Sequence, residues 1–310
     1  MKRIVFILCL TVFVGVGAWS QSLVERLGYK PTDRLLIINN DDAGMCHAAN
    51  VAAIKGMEDG VVSSATIMFP CSWSNEIAKY AIENPDKGFG VHLTLTAEWE
   101  DYRWGTIASR NEVPGLYDKQ GYMWKSVREV YESSNPQEAL IEGRAQIRKA
   151  LDAGVSVTHI DSHMGTYQYL PDYMNIYLQL AEEFNLPARM PSLSTMQTMR
   201  AAHFRNVCKE KGIVCPDYFI FEEFEGYGKD NLEEFWVNYI KNLKPGVTEI
   251  YIHGSIAGDE ISAITNSAPT RVKEYEFFTG EAIKQLLRDE GIIVISYRPL
   301  LELQRKKSAK

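Results

Sequence analysis

The 310-residue sequence predicts an α/β fold in which seven or eight mostly parallel strands, each followed by a helix, close into a (β/α) barrel. Three observations carry that prediction. Short apolar strands alternate with helical stretches almost to the C-terminus, and repeated β–α units require parallel strands joined by helical crossovers. No Gly-x-Gly-x-x-Gly or Gly-x-x-x-x-Gly-Lys loop follows any strand, which disfavours the common nucleotide-binding open sheets. Polar, metal-competent side chains stand at the C-terminal ends of several strands, where the mouth of such a barrel lies.

The elements follow in order. Lys2 and Arg3 precede an uncharged apolar run, Ile4 to Ala18, and small residues lead to Ser20; this is the layout of a secretory signal peptide cleaved near Ser20–Gln21. The run is short for a membrane span of roughly twenty residues. The expectation is export to the periplasm or the cell exterior, no membrane attachment after cleavage, and one barrel domain over residues 21–310. Arg34–Asn40 reads as a buried strand and His47–Asp59 as an Ala-rich helix stopped by Gly60. Ser63–Phe69 is the second strand, Ser74–Glu83 a helix ended before Pro85, and Gly88–Thr96 the third strand.

An irregular stretch from Ala97 to about Ser134 then interrupts the alternation, with Trp99, Tyr102, Trp104, Tyr117, Tyr122, Trp124 and Tyr131. Insertions of this length in a compact domain are usually functional. Its rings either stack on sugar faces or form a satellite hydrophobic cluster that holds the loop down. Pro136–Ala153 is a long helix, Val155–Asp161 a strand, Asp172–Phe184 a helix and Pro187–Met190 a very short strand. Leu232–Leu243 (helix), Val247–His253 (strand), Arg271–Asp289 (helix) and Gly291–Ser296 (strand) complete the series.

Lys and Arg total 33 against 40 Asp and Glu, a formal charge of −7 that becomes −9 once Lys2 and Arg3 leave with the signal. A nucleic-acid partner needs a basic surface, and this balance argues against one. The mature chain keeps Cys46, Cys71, Cys208 and Cys215, with no Cys-x-x-Cys spacing. Cys208 and Cys215 are the one local pair able to form a disulfide, and four buried free thiols are the plainer expectation.

The first strand ends in Asn39-Asn40-Asp41-Asp42, the third carries His92, the next leads into His159, Asp161 and His163, and the late strand ends at His253. Four of the six histidines thus fall at strand ends. Each is explicable alone: Asp41-Asp42 could cap the following helix, and a single strand-end histidine is ordinarily a satisfied polar group. Coincidence over four strands favours a site. Neighbouring aspartates on a strand point to opposite sides, so one can bind a metal while the other faces a reacting water. One aspartate with two histidines leaves open positions on a divalent metal, as hydrolysis requires. A retaining glycosidase needs two carboxylates about 5 Å apart and leaves the histidines unexplained; phosphotransfer would prefer Asp-x-Asp.

LLIINNDDAGMCHAANVAAI from Leu35, GVHLTLT from Gly90 and THIDSH from Thr158 resemble the three motifs of the YdjC-like carbohydrate deacetylases, a family that includes chitooligosaccharide deacetylase. YIHG at Tyr251 and GIIVISYR at Gly291 are similar to its C-terminal signatures. The resemblance implies a distorted barrel of glycoside hydrolase/deacetylase type that removes N-acetyl groups from amino sugars or oligosaccharides. By position, it implies that Asp42, His92 and His163 hold one divalent ion, Mg²⁺ or Zn²⁺, and that Asp41 is the general base for an attacking water on that ion. It implies His253 as general acid or oxyanion partner, Arg189 as a substrate contact, and Asp161 and His159 as groups that orient the ligands. The partner is an N-acetylated sugar, with a homodimer left open.

Three departures stand out: the family's Asn-Ala-Asp-Asp is Asn39-Asn40-Asp41-Asp42 here, its Pro after the late histidine is Gly254, and its further histidines are missing after His163. A metal-dependent O-acetyl esterase would share every motif, and a glycan-binding barrel would share the fold without the chemistry.

Overall fold

The computed structural model describes residues 21–220 and 231–308, so the expected signal peptide at residues 1–20 lies outside the described residues. A short helix α1 (Leu23–Arg26) leads to β1 (Arg34–Ala43), α2 (His47–Glu58), β2 (Ser64–Ile67), α3 (Ser74–Glu83) and β3 (Gly88–Leu93). After the aromatic insertion come α4 (Val127–Ser133), α5 (Pro136–Asp152), β4 (Val157–Ser162), α6 (Pro171–Glu183), α7 (Leu193–Thr198), α8 (His203–Glu210) and β5 (Tyr218–Phe219). The C-terminal third supplies α9 (Leu232–Lys241), β6 (Gly246–Ile252), α10 (Asp259–Ile264), α11 (Ala268–Thr279), α12 (Glu281–Asp289), β7 (Ile293–Val294) and α13 (Arg298–Ser308). Among the described residues no helix is long and apolar enough to cross a membrane.

All strand pairs are parallel, in the order β4-β3-β2-β1-β6-β5. β6 runs along one edge of β1 from Arg34 to Asn40, while β7 and β2 share the other edge in succession, at Leu35–Leu36 and from Asn39 onward. Beyond β4 the ring continues through a single bridge, Ile160 to Ala188. The Ala188 N–H then donates to Val214 O at 3.2 Å, and the Asp217 N–H to Val247 O at 2.9 Å, which leads back to β6. The result is a distorted β/α barrel with one thin side.

Several expected elements differ. The strand expected over Pro187–Met190 shrinks to the one bridge, because Pro187 and Pro191 on either side have no N–H to donate to a ladder. The helix expected over Arg271–Asp289 is two, α11 and α12, broken where Gly280 turns extended (φ −71°, ψ 161°). The last strand is only Ile293–Val294. The short elements α7, α8 and β5 fill a stretch the apolar pattern left blank.

Alternation along β1 divides the core. Leu36 and Ile38 pack outward with Ile250 and Ile252 of β6 against Trp236, Ile240, Phe278 and Leu287 of the surrounding helices. Leu35 and Ile37 point the other way, joining Leu23, Val24, Val247, Tyr297 and Leu300 in a plug where α1 and α13 cover the barrel floor. On the β2–β4 side, Ile67, Phe89, Val91 and Ile160 pack against Ile77, Leu140, Ile147 and Tyr177.

The aromatic insertion is packed rather than open. Trp104 and Met123 are buried with Met45 and Ala97, and Trp99 and Tyr102 lie against them. The Tyr102 hydroxyl donates to Met45 O, and Trp124 Nε1 to Gly115 O at 2.8 Å. Of the insertion's aromatic rings only Tyr122 is largely exposed, so the rings serve chiefly as the satellite cluster. Among the described residues Cys46, Cys71, Cys208 and Cys215 are all free thiols, Cys215 half-buried and the others buried.

The insertion is fastened to α5 by Glu142, a fully buried carboxylate that accepts the Ile107 and Ala108 N–H groups at 2.9 and 2.8 Å. Glu142→Ala leaves those N–H groups unpaired and is expected to lower the unfolding free energy by about 2–4 kcal/mol in a denaturant titration. Burial pushes the Glu142 carboxyl from its ordinary 4.5 up to about 7, against the pull of its N–H partners. The folded form therefore holds its proton where the unfolded form has lost it. Wild-type protein should lose stability relative to Glu142→Gln as pH rises from about 4.5 to about 7, with the difference level above that.

Candidate active site

The parity that sends Leu35 and Ile37 into the floor sends Asn39 and Asp41 into the barrel interior above them. Thr66, His92, His159, Asp161, Arg189 and Glu249 project into the same space from their own strands and meet in a buried polar network. Strict alternation would point Asp42 away from Asp41. Instead, β1 bulges between Asn40 and Ala43, Asp42 takes a left-handed φ of 62°, and both carboxylates line one cavity of about 390 Å³. Aspartate is among the few side chains that tolerate that backbone.

Asp42, His92 and His163 converge at the cavity's buried end. Asp42 Oδ1 is 3.3 Å from His92 Nε2 and 3.3 Å from His163 Nδ1, and the two nitrogens are 3.2 Å apart. The other ring atoms are spoken for: His92 Nδ1 meets Asp161 Oδ1 at 2.6 Å, and His163 Nε2 meets the Glu98 carboxylate at 3.0 and 3.1 Å. Those carboxylates take the ring N–H groups, so the tautomers leave Nε2 of His92 and Nδ1 of His163 as acceptors. Three acceptors then face one another with no donor between them, and Asp42 Oδ1 is buried without a hydrogen-bond partner. A cation bonded to all three at about 2.0–2.2 Å needs its donors some 3.0–3.4 Å apart, which the spacing satisfies. The residues fit a divalent ion.

Electrostatics agree. Burial opposes charge on both imidazoles, but Asp161 beside His92 and Glu98 beside His163 outweigh it and lift them to about 10 and about 9. Burial also works against the Asp42 carboxylate, and the Arg271 guanidinium at 2.8 Å from Oδ2 holds it well below the usual range. The pocket demands positive charge, which a metal ion or protons can supply.

Asp41 sits beside this triangle. Arg189 grips it with Nη1 at 2.6 Å and Nη2 at 2.7 Å, and Asn39 Nδ2 donates to it at 2.7 Å. Burial would raise its pKa; the Arg189 charge and hydrogen bonds outweigh burial and keep it ionised. Arg189 also meets Asp161 at 3.0 Å and Glu249 at 2.8 Å, so its guanidinium is engaged by carboxylates and acts on Asp41. His253 lines the same cavity, and burial pushes it down to about 4, partly offset by Asp42 and reinforced by Arg271. It is neutral near pH 7. His159 reaches Asn39 Oδ1 at 3.2 Å and stacks on Tyr297 at 3.7 Å, so it supports Asn39 beneath Asp41 rather than touching Asp42, His92 or His163. Gly90 must be bare there: a Cβ would meet the His159 ring at 2.6 Å.

Two contributors escaped the sequence reading. Glu98 lies in the insertion, where nothing marks one acid from the next. Arg271 does leave a trace: with Glu274 it interrupts the buried stripe of α11 between Ala268 and Phe278.

The model of the family described as YdjC-like protein matches residues 35–289, and the chain belongs to that family. It is 28% identical to the carbohydrate deacetylase of Thermoanaerobacter pseudethanolicus over 85% of this chain and 98% of that one. It is 29% identical to the carbohydrate deacetylase of Brevibacillus brevis over 86% and 99%. A crystal structure from Enterococcus faecalis V583, described as a candidate cellobiose-phosphate cleavage protein, superposes with a TM-score of 0.74 at 26% identity, covering 87% of this chain and 99% of that one.

If Asp161 and Glu98 set the ligand tautomers, Asp161→Asn and Glu98→Gln should each weaken Zn²⁺ binding by about 10–100-fold in calorimetric titration. Protons and metal compete for the same two nitrogens, so uptake should release protons and tighten as pH rises. Unchanged affinity in both variants would contradict the assignment.

Proposed function

We propose that this chain is a metal-dependent carbohydrate deacetylase that hydrolyses N-acetyl groups on amino sugars or their oligosaccharides. The observation that carries the reading is the donor-free triangle of Asp42, His92 and His163 beside an ionised, arginine-held Asp41. The relatives' names supply the carbohydrate and the acetyl group.

A divalent cation held by Asp42, His92 and His163 supplies Lewis-acid charge that polarises the acetamide carbonyl and acidifies water. The two nitrogens and one carboxylate suit Zn²⁺, with Mg²⁺ the alternative. Asp41 accepts a proton from the attacking water at a carboxylate oxygen while Arg189 and Asn39 hold it in place. His253 begins neutral. As negative charge gathers on the carbonyl oxygen, the imidazole's affinity for a proton rises; it takes up the proton that Asp41 received from the water and passes it to the departing nitrogen. The C–N bond breaks, leaving acetate and a free amine. Arg271, fixed on Asp42 Oδ2, leaves Oδ1 as the free ligand atom.

The test is acetate release from N-acetylated sugars by metal-stripped protein, before and after Zn²⁺ or Mg²⁺ is restored, with O-acetylated sugars in parallel. Metal should restore turnover, and Asp41→Asn should lower kcat by about 10²–10⁴-fold. Release only from O-acetyl sugars would make the chain an esterase instead, and affinity without turnover would make it a binding protein.

We also propose that residues 1–20 direct export. Expression in a bacterial host should place the protein outside the cytoplasm with a mature N-terminus at Gln21, read by mass spectrometry; an intact Met1 on cytoplasmic protein would refute this.

A further inference from the structure

A second cavity of about 180 Å³ adjoins the catalytic one, and Gly165, Gln168 and Tyr169 line both. Its walls are otherwise largely apolar, with Pro171, Met174, Pro191, Met196, Met199 and Phe204 outnumbering the polar Arg200 and His203. The partition is thin. The Tyr169 ring lies on Gly165, where φ is 65° and an added Cβ would meet the ring at 2.8 Å. Gln168 Nε2 is turned to the backbone, donating to Arg189 O at 3.0 Å.

The large exposed apolar residues Met164, Tyr169, Leu170, Leu193 and Met199 lie on the two segments that build this second cavity. A grouping of this kind at the rim of a reactive cavity marks a ligand surface more than chance exposure does. The volume is informative: an apolar protein cavity of about 150 Å³ accepts benzene. Methionine walls adapt to aryl and alkyl shapes alike.

Depth decides which part of a substrate reaches it. The reacting carbonyl belongs at Asp41, Asp42, His92 and His163, all at most 5% exposed, whereas Met164 and Tyr169 are 43% and 47% exposed at the rim. The sugar ring therefore lies toward the rim, and a group on its anomeric carbon, next to the carbon that bears the acetamide, points along the wall shared with the second cavity. We infer that this cavity is an aglycone site, taking a phenyl-sized or short-alkyl group attached to the sugar. This rests on the deacetylase reading for the sugar's orientation, while the cavity can be probed without turnover.

The experiment has two readouts. Calorimetry on the full protein compares phenyl and methyl β-glycosides of glucosamine, which carry no acetyl group. Turnover compares phenyl and methyl β-glycosides of N-acetylglucosamine, together with the methyl glycoside bearing an N-butanoyl group. The phenyl glycoside should bind at least about tenfold more tightly and show a KM lower by the same factor at similar kcat. Ala201→Leu, which fills the cavity, and Met199→Asp, which makes its rim polar, should each erase that preference and leave the methyl glycoside unchanged. Equal binding of the two glycosides, or a preference that survives both variants, would overturn the inference. A preference for the N-butanoyl chain instead would assign the cavity to the acyl group and also overturn it. Loss of all turnover with the binding preference intact would count against the deacetylase reading alone.

Discussion

Arg189 holds the barrel together on the side where the backbone does not. Between β4 and β5 the ring of strands is joined by one bridge, Ile160 to Ala188, and a few N–H donations. The Arg189 guanidinium crosses that space and binds Asp41 of β1, Asp161 of β4 and Glu249 of β6. Buried charges are costly unless paired, and removing one partner leaves the others uncompensated. The arginine's charge is divided unequally. Asp41 takes both terminal nitrogens and stays ionised, whereas Glu249, touched through Nε and the Tyr297 hydroxyl, is pushed by burial up to about 7. The cluster that closes the fold therefore also fixes the protonation state of Asp41, which lines the same cavity as Asp42, His92 and His163.

The same economy runs outward through His163. Glu98 binds that ring from the insertion, Trp104 lies edge-on to it at 6.5 Å, and the Arg271 guanidinium sits over Trp99 at 5.8 Å. The insertion is thus one wall of the pocket around His163. Among its other anchors is Glu142 on α5, which does not line the cavity. The insertion that is fastened at α5 also carries the carboxylate that holds the His163 ring, so a satellite cluster in sequence is part of the cavity wall in the fold.

Much of this was legible beforehand, and for physical reasons. Strand-end position is a local property: once β–α alternation is recognised, the inward parity of Asn39–Asp41, His159–Asp161 and Glu249–Tyr251 follows from a period of two. The bulge at Asp42 was not legible, because a one-residue slip in pairing depends on both neighbouring strands. Nor was the pairing of Glu98 with His163 or Arg271 with Asp42, since both charges come from elements whose register is set only by tertiary packing. The aromatic composition of the insertion could not say whether its rings faced solvent or one another.

Two of the departures from the family's motifs explain each other. Asn40 replaces the family's Ala, and Gly254 its Pro. Asn40 Oδ1 accepts the Gly254 N–H at 2.9 Å, a donor that proline lacks, and a Cβ at 254 would stand 2.8 Å from that oxygen. Either residue alone would be poorly matched: Asn40 opposite proline would bury an unpaired carbonyl, and Gly254 opposite alanine would leave an N–H without an acceptor. The contact joins the residue before Asp41 to the residue after His253. What reads in sequence as two lapses from a motif is one hydrogen bond that ties the strand bearing Asp41 to the segment bearing His253.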